Sequence, residues 1–360
     1  MKVLHIGATI GLIGGGQLAS MMSIAAARLG FRTVVLSPEK NCSAARTTNE
    51  HIVAAYDNHA ALEHLAQLCD VITYEFENIP ITTLDYLALN TTVAPPPFAL
   101  AVAQNRFIEK KFLGECGIAT APWWFIEDRE TLDAALIACG GKGILKSCFF
   151  GYDGKGQVHI TKNSEDTIRM ALETIGHVPA ILEGFVDFSK EISVIAARGR
   201  LKDVVFFDVP ENIHQAGILR TSIVPAAVSP EVIKTAREIT ATILHTLNYI
   251  GVIAVEFFVK ADGSIFANEF APRVHNSGHW TEATCIISQF EQHIRAIAGW
   301  SLGIPLRHSD CIMENIIGDD INKTPEILQQ PGTFIHLYGK EEIRLGRKMG
   351  HIIHITHTQE

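Results

Sequence analysis

Glu256 and Glu269 are the residues of this chain best placed to do chemistry. Each interrupts an apolar run, VIAVEFFVK and IFANEF, and the two runs are joined by Ala261-Asp262-Gly263-Ser264. Asp-Gly is a pair favoured in two-residue hairpin loops. With Asp262 and Gly263 as the loop, Glu256 falls directly opposite Glu269 and both carboxylates share one face. Like charges opposed across a ladder destabilise it, and two buried carboxylates do not both stay ionised without a partner. A divalent cation is such a partner. Hard oxygen donors suit Mg²⁺, or Mn²⁺ in its place, with remaining positions left to water and phosphate oxygens. Asn268 offers a further oxygen. An ordinary surface hairpin with solvated carboxylates fits poorly with Val252, Ile253, Val255, Phe257, Phe258 and Val259 around Glu256, and with Ile265 and Phe266 before Glu269.

A second group of residues is suited to phosphate. Lys146 lies near the end of the strand-like GILKS, and Gly151, Tyr152, Asp153, Gly154, Lys155, Gly156 and Gln157 follow. Glycines let a backbone approach closely and turn its N–H groups toward phosphate oxygens, while Lys146 and Lys155 bring compact positive charge. No G-K-[ST] opens a helix, so this is not a Walker A loop. Glu183-Gly184-Phe185-Val186 ends another strand, and Glu191 follows in KEISVIAAR. These could present backbone groups to a base and a carboxylate to a ribose, although an ordinary strand end explains them equally well. Gly14-Gly15-Gly16-Gln17-Leu18-Ala19 has the G-x-G-x-x-A spacing of a phosphate-binding turn. The next strand ends Leu36-Ser37-Pro38 without the acidic residue that would hold a dinucleotide ribose. NAD is therefore disfavoured, and a phosphate contact and a structural turn both stay open. His351, His354 and His357 recur every third residue. A strand turns the middle one away from its neighbours, which argues against a metal shared by all three.

The elements that must position these groups are visible in the pattern. The first hundred residues alternate ATIGLIG, a helix over QLASMMSIAAARLG, RTVVLS, HIVAA, a helix over HAALEHLAQL, and DVITYEF. That is the signature of a doubly wound parallel sheet. Ala94-Pro95-Pro96-Pro97 reads as a boundary. Thus residues 1–100 form a Rossmann-like unit and 101–303 an α+β unit, with a mobile subdomain near 120–190. Residues 304–360 form a small β-rich segment of two strands, TFIHLYG and EIRLGRKMGHIIHIT, joined by a basic turn. The fold class is α/β (α+β). The net charge of −9 supplies no global field for nucleic acid or an anionic membrane, so anionic ligands must be met by local cations. Seven cysteines without a CxxC pair fit reduced thiols in the cytoplasm. No apolar run is long enough to span a bilayer.

Taken in order, Lys146, GYDGKGQ, EGFV with Glu191 and the Glu256/Asn268-Glu269 hairpin resemble the ATP-grasp superfamily. TYEFENIP, GYDGKGQ, NIHQAGILRTS and NEFAPRVHNSGHW more closely resemble the N5-carboxyaminoimidazole ribonucleotide synthase family, over nearly the whole chain. The resemblance implies an N-terminal doubly wound sheet, an ATP-grasp domain and a C-terminal β segment. It implies ATP contacts from Arg106, Lys146, Gly151 to Gln157, Glu183 to Val186, Glu191, His214, Asn268 and Glu269, with Glu256 and Glu269 carrying Mg²⁺. For 5-aminoimidazole ribonucleotide it implies Glu75 or Glu77, Tyr152, Lys155, His275, Asn276, Ser277, Lys340 and Arg347, with Lys348 nearby. It also implies a homodimer. Lys146 would neutralise charge on the transferring phosphoryl group, Arg273 would clamp bicarbonate or carboxyphosphate, and His275 would position a proton or the amine. Another ATP-grasp ligase, such as a formate-dependent glycinamide ribonucleotide transformylase or a biotin carboxylase, is the nearest alternative. A NAD-dependent oxidoreductase and an ATP-binding module without turnover are the more distant ones.

Overall fold

The structure, a computed structural model, describes residues 2–149, 156–161 and 164–358. The expected phosphate loop over Gly151, Tyr152, Asp153, Gly154 and Lys155 therefore lies outside the described residues.

Strands β1 (Thr9–Ile13), β2 (Arg32–Ser37), β3 (Glu50–Val53) and β4 (Val71–Tyr74) form a parallel sheet in the order β3-β2-β1-β4. Helix α1 (Gln17–Arg28) buries Leu18, Ala19, Met21, Met22, Ala25 and Ala26 on one side of it. Helices α2 (His59–Leu68) and α3 (Ile81–Asn90) pack Leu62, Leu65, Leu84 and Leu87 on the other. This is the doubly wound unit that the alternation predicts. Pro97 does not simply end it. It occupies the first turn of α4 (Pro97–Ala103), where its missing N–H costs nothing.

After α5 (Arg106–Glu115), strands β5 (Trp123–Ile126), β6 (Gly143–Ser147), β7 (Gln157–Ile160) and β8 (Ala180–Gly184) make an antiparallel sheet in the order β5-β8-β6-β7. It is backed by α6 (Arg129–Ala138) and α7 (Glu165–Ile175), which share one apolar cluster with it.

The largest sheet contains β9 (Lys190–Arg198), β10 (Val204–Phe206), β11 (Glu211–Gln215), β12 (Ile218–Val224), β13 (Gly251–Val259), β14 (Ile265–Ala271), β15 (Ser309–Ile317), β16 (Thr333–Leu337) and β17 (Lys348–Thr358). Its order is β14-β13-β9-β11-β12-β15-β17-β16, with β10 paired to β9. The C-terminal strands thus continue the central sheet through β12 and β15. The two C-terminal strands read from sequence are both there, but β15, the one that joins them to the centre, was not among them. Helix α8 (Pro230–Thr246) covers one face, and the short α9 (Thr281–Thr284) and α10 (Gln289–Ile297) follow β14. Helix α10 also packs on α1, so one apolar cluster runs from the N-terminal sheet into the central one.

The β13–β14 hairpin corrects the expected two-residue loop. Lys260 N–H donates to Ser264 O at 2.9 Å, leaving Ala261, Asp262 and Gly263 in the loop. Asp262 Oδ1 accepts from Ser264 N at 2.9 Å, and Gly263 takes φ +83°. The aspartate caps its own backbone and glycine supplies the left-handed residue of a three-residue loop. Near the turn the ladder is offset, pairing Phe257 with Ala267, but an irregularity between Val255 and Phe257 restores Val255 opposite Phe270. That bulge falls at Glu256, which faces the Asn268–Glu269 step. Bulges re-aim side chains, and here one keeps both carboxylates in a common cavity.

Candidate active site

A cavity of about 500 Å³ lies where α4, α5, the β13–β14 hairpin and the last strand approach the N-terminal sheet. Glu75, Glu77, Arg106, Glu109, His214, Glu256, Glu269, Arg273, His275, Asn276 and Lys348 line it.

Backing one wall is a buried network of opposite charges, of which Arg106 and Glu269 line the cavity and Lys110, Lys146 and Glu183 do not. Lys110 Nζ lies 2.7 Å from Glu183 Oε1 and donates to Asn268 O at 2.8 Å, while Lys146 Nζ meets the other oxygen of Glu183. Burial alone would raise the Glu183 carboxyl, but the two ammonium groups outweigh it and hold the group well below the usual carboxylate range. Arg106 Nη1 pairs with Glu269 Oε2 at 2.9 Å. For Glu269 too, burial is overcome by Arg106 and then by Lys146, so this carboxylate stays ionised.

Glu256 differs. Burial first, and then repulsion by Glu269, push its carboxyl up to about 7. Glu109 is pushed to about 8 by the same two causes, although its Oε1 accepts from Phe270 N at 2.7 Å. Two carboxyls near Glu269 thus hold protons around neutrality, because burial and the Glu269 charge outweigh the cations nearby. Their oxygen donors suit a hard divalent cation, which favours the ionised forms.

The second wall fixes a histidine. Asn212 Oδ1 accepts from Ser222 Oγ at 2.7 Å, and Asn212 Nδ2 donates to Ser193 Oγ at 3.0 Å. Ser193 Oγ lies 2.7 Å from Ser277 Oγ, which lies 2.8 Å from His275 Nδ1. With Asn212 donating to Ser193, the hydroxyl protons point along the chain toward His275. Ser277 N–H also donates to Nδ1, at 3.3 Å. Nδ1 is therefore an acceptor and the ring proton sits on Nε2, 3.5 Å from Glu256 Oε1. Burial, with Arg273 and Lys348 adding repulsion, holds His275 well below the usual histidine value, so the ring is neutral.

Arg273 pairs with Glu77 at 2.7 Å and donates to Val274 O at 3.0 Å. Its Nε, the Nε of Arg106 and both amide atoms of Asn276 are buried without hydrogen-bond partners among the described residues. Unpaired buried polar atoms converging on one cavity mark where a polar ligand fits. His214 Nδ1 lies 2.9 Å from Glu191 Oε2; burial would lower its pKa, but the carboxylates of Glu191 and Glu256 raise it.

The N-terminal glycine turn has a structural use. Glu75, just after β4, accepts from the backbone N–H of Gly16 and, at 2.9 Å, from that of Ala19. A side chain at Gly14 or Gly16 would collide with this carboxylate, and one at Gly15 with Cys42. The positive end of α1 is thereby filled by a glutamate of the chain itself. Of the other expected residues, Gly184, Phe185 and Val186 follow Glu183 at the end of β8, and Gly156 and Gln157 lead into β7. Lys340 donates to Lys348 O at 2.8 Å and is close enough to Glu75 to favour its ionised form. Arg347 donates to Glu342 O at 3.0 Å, and neither it nor Lys340 is among the residues lining the cavity.

Sequence reasoning missed Glu109, Lys110, Ser193, Asn212 and Ser222. The first two had a signal. Arg106, Glu109, Lys110 and Leu113 stand at i, i+3, i+4 and i+7, one face of α5, and Leu113 marks that face as buried. The polar chain from Ser222 had none, because its members come from three separated strands and a turn.

Three family models tile the chain: a ribonucleotide synthetase preATP-grasp domain at residues 7–104, an ATP-grasp domain at 111–290 and a phosphoribosylaminoimidazole carboxylase C-terminal domain at 311–360. An N5-carboxyaminoimidazole ribonucleotide synthase from Brucella melitensis is 57% identical over 352 residues, covering 98% of this chain and 97% of the relative. The chain belongs to the N5-carboxyaminoimidazole ribonucleotide synthase family. It is an ATP-dependent ligase of the ATP-grasp type. The Bacillus subtilis member is 38% identical across 98% of this chain and 92% of its own. Among solved members, a Staphylococcus aureus structure complexed with ADP superimposes with a TM-score of 0.94 at 37% identity, covering 99% of this chain and 95% of that one. An Aspergillus clavatus structure in complex with ADP and 5-aminoimidazole ribonucleotide does so with a TM-score of 0.91 at 30% identity, covering 98% and 95%. Membership in this synthase family excludes the dehydrogenase alternative, and the filled N-terminus of α1 agrees with that.

Proposed function

We propose that this chain carboxylates 5-aminoimidazole ribonucleotide with bicarbonate and ATP, and that the cavity described above is where both steps occur. The observation that carries this is the junction of a cation–carboxylate wall suited to phosphoryl transfer with the Arg273–Ser277 turn. A bicarbonate oxygen attacks the γ-phosphorus of ATP, the bond to the β–γ bridging oxygen breaks, and ADP leaves with carboxyphosphate formed. Carboxyphosphate releases CO₂ and inorganic phosphate. The exocyclic amine of the ribonucleotide then bonds to the carbon and gives up a proton.

Lys146, held by Glu183 behind the cavity lining, supplies a fixed positive charge toward the transferring group. Arg106, Glu183 to Val186 and Glu191 hold the nucleotide, with His214 beside Glu191. Glu256 and Glu269 would hold Mg²⁺, which would supply charge neutralisation on the phosphate oxygens. Arg273 is oriented by Glu77 and retains an unpaired Nε–H for the planar oxyanion. Neutral His275, with its proton on Nε2, donates toward Glu256 or a ligand oxygen and orients the reacting amine. Asn276, Lys340 and Arg347 serve the ribonucleotide, and Tyr152 and Lys155 carry the same assignment from the sequence. Seven free thiols support cytoplasmic residence, and no helix among the described residues is long and apolar enough to cross a membrane. The family resemblance further supports a homodimer, for which light scattering is the check.

The decisive assay measures ADP release with and without aminoimidazole ribonucleotide and bicarbonate. Turnover is expected only with both present, without response to formate or biotin. Glu269→Gln is expected to fold and to lose nearly all ADP formation. Turnover with another acceptor, or normal activity of that variant, overturns the proposal.

A further inference from the structure

Glu282, His336 and His351 lie outside the cavity lining and take no part in the reaction above. Each offers one ligand atom, and the three atoms lie within 4.8 Å of one another. We propose that these residues form a second metal site, selective for zinc or a similar d-block divalent cation, distinct from the Glu256–Glu269 pair and independent of the carboxylation assignment.

Both separations from Glu282 are compatible with a shared metal. His336 Nδ1 stands 3.3 Å and His351 Nε2 3.7 Å from Glu282 Oε2. Ligands about 2.0–2.1 Å from a tetrahedral ion stand roughly 3.4 Å apart. Glu282 Oε2 and His351 Nε2 are both buried without a hydrogen-bond partner among the described residues. His351 is fully buried. Unmatched buried acceptors are costly, and a shared cation satisfies them together.

The surroundings hold the set in place. His336 and His351 are directly paired across the β16–β17 ladder, and their rings stack at 5.4 Å between centroids. Tyr338 Oη lies 2.9 Å from His351 Nδ1. A hydrogen bond donated by Nδ1 to that oxygen leaves the Nε2 lone pair facing Glu282, the orientation that supporting hydrogen bonds impose on metal-binding imidazoles. His279 is close, with ring centroids 4.6 Å apart from those of His351, but it is not a ligand. Gln289 Nε2 donates to His275 O at 2.7 Å and faces His279 Nδ1 at 3.3 Å, so the His279 proton sits on Nε2. Two imidazoles and one carboxylate, with water in the fourth position, form a zinc donor set rather than a magnesium one.

Such an ion would pin α9, which follows the Arg273–Trp280 turn, to β16 and β17. The segment between those strands carries Lys340 and Arg347. The site would therefore fasten the C-terminal cations to the ATP-grasp core.

The test uses full-length protein stripped with a chelator and titrated with Co²⁺ in the presence of excess Mg²⁺. One equivalent is expected to develop the visible absorption of a nitrogen-containing site of low coordination number, and zinc is expected to bleach it. Glu282→Gln and His336→Gln are expected to weaken Co²⁺ binding by roughly 100-fold or more, and Tyr338→Phe by about tenfold. Zinc should raise the thermal midpoint of the unsubstituted protein but not that of His336→Gln. Absence of a visible band at one equivalent overturns the proposal. So does a band of equal affinity in Glu282→Gln and His336→Gln, or one abolished by Glu269→Gln, which would assign the cobalt to the phosphoryl-transfer cavity. Tyr338→Phe keeps the ring and tests the site even where a ligand substitution fails to fold.

Discussion

Replacing Glu256 by glutamine should stabilise the metal-free protein while removing its activity. The carboxyl, raised from its ordinary 4.5 to about 7, is largely buried, its side chain 15% exposed. At about 1.36 kcal/mol for each tenfold change in proton affinity, that displacement is worth roughly 3 kcal/mol. Because the folded-state value lies above the unfolded one, the folded chain binds the extra proton between them. Stability is lost as pH rises from about 4.5 to about 7, and above that the full penalty applies. Glu109, raised to about 8, adds a loss in the same direction, so the comparison between the parent and the variant isolates Glu256. Urea unfolding at pH 5, 6, 7 and 8 in a chelator would measure it. The parent should lose more stability across this range than Glu256→Gln, by on the order of 2–3 kcal/mol. Saturating Mg²⁺ should narrow the gap by stabilising only the parent. A Glu256→Gln protein less stable than its parent at pH 8 without metal would refute the assignment of an uncompensated carboxylate.

Other substitutions test the remaining walls. Lys110→Met strips one of two cations from buried Glu183 and should destabilise by about 3 kcal/mol, the lower end for a broken buried pair, because Lys146 remains; a change below about 0.5 kcal/mol in chemical unfolding would rule out a structural role. Asn212→Ala interrupts the chain that orders His275 and should lower kcat roughly fivefold to tenfold, at about 1 kcal/mol for a neutral hydrogen bond, while the KM for ATP stays unchanged; equal effects on both would mean a general loss of packing. Lys340→Ala and Arg347→Ala should chiefly raise the KM for the ribonucleotide, and an unchanged value for both would remove this segment from the substrate site.

The fold was legible where periodicity is strong. The alternation before Pro95 gave all four strands of the parallel sheet, and GILKS and KEISVIAAR lie where their apolar patterns placed them. The hairpin shows how a right pairing can rest on a wrong turn. Asp262 stabilises a three-residue loop, and only a bulge at Glu256 returns the carboxylates to a common cavity. No local pattern announces a bulge. The glycine turn was ambiguous for a related reason: its occupant, Glu75, lies far along the chain. Nor could spacing along one strand show that His351 joins His336 and Glu282 while His354 turns to Glu314.

The strand order of the central sheet also bears on synthesis. β15 is flanked by β12, made well before it, and by β17, made last. During translation its outer edge stays unpaired until residues 348–358 have left the ribosome, and an open edge invites pairing with another chain. The nucleotide-binding half can therefore be assembled while the sheet is still incomplete. Lys340 and Arg347, proposed above to serve the ribonucleotide, arrive just before the strand that seals that edge, so on that proposal closing the sheet and completing the substrate site are one late event.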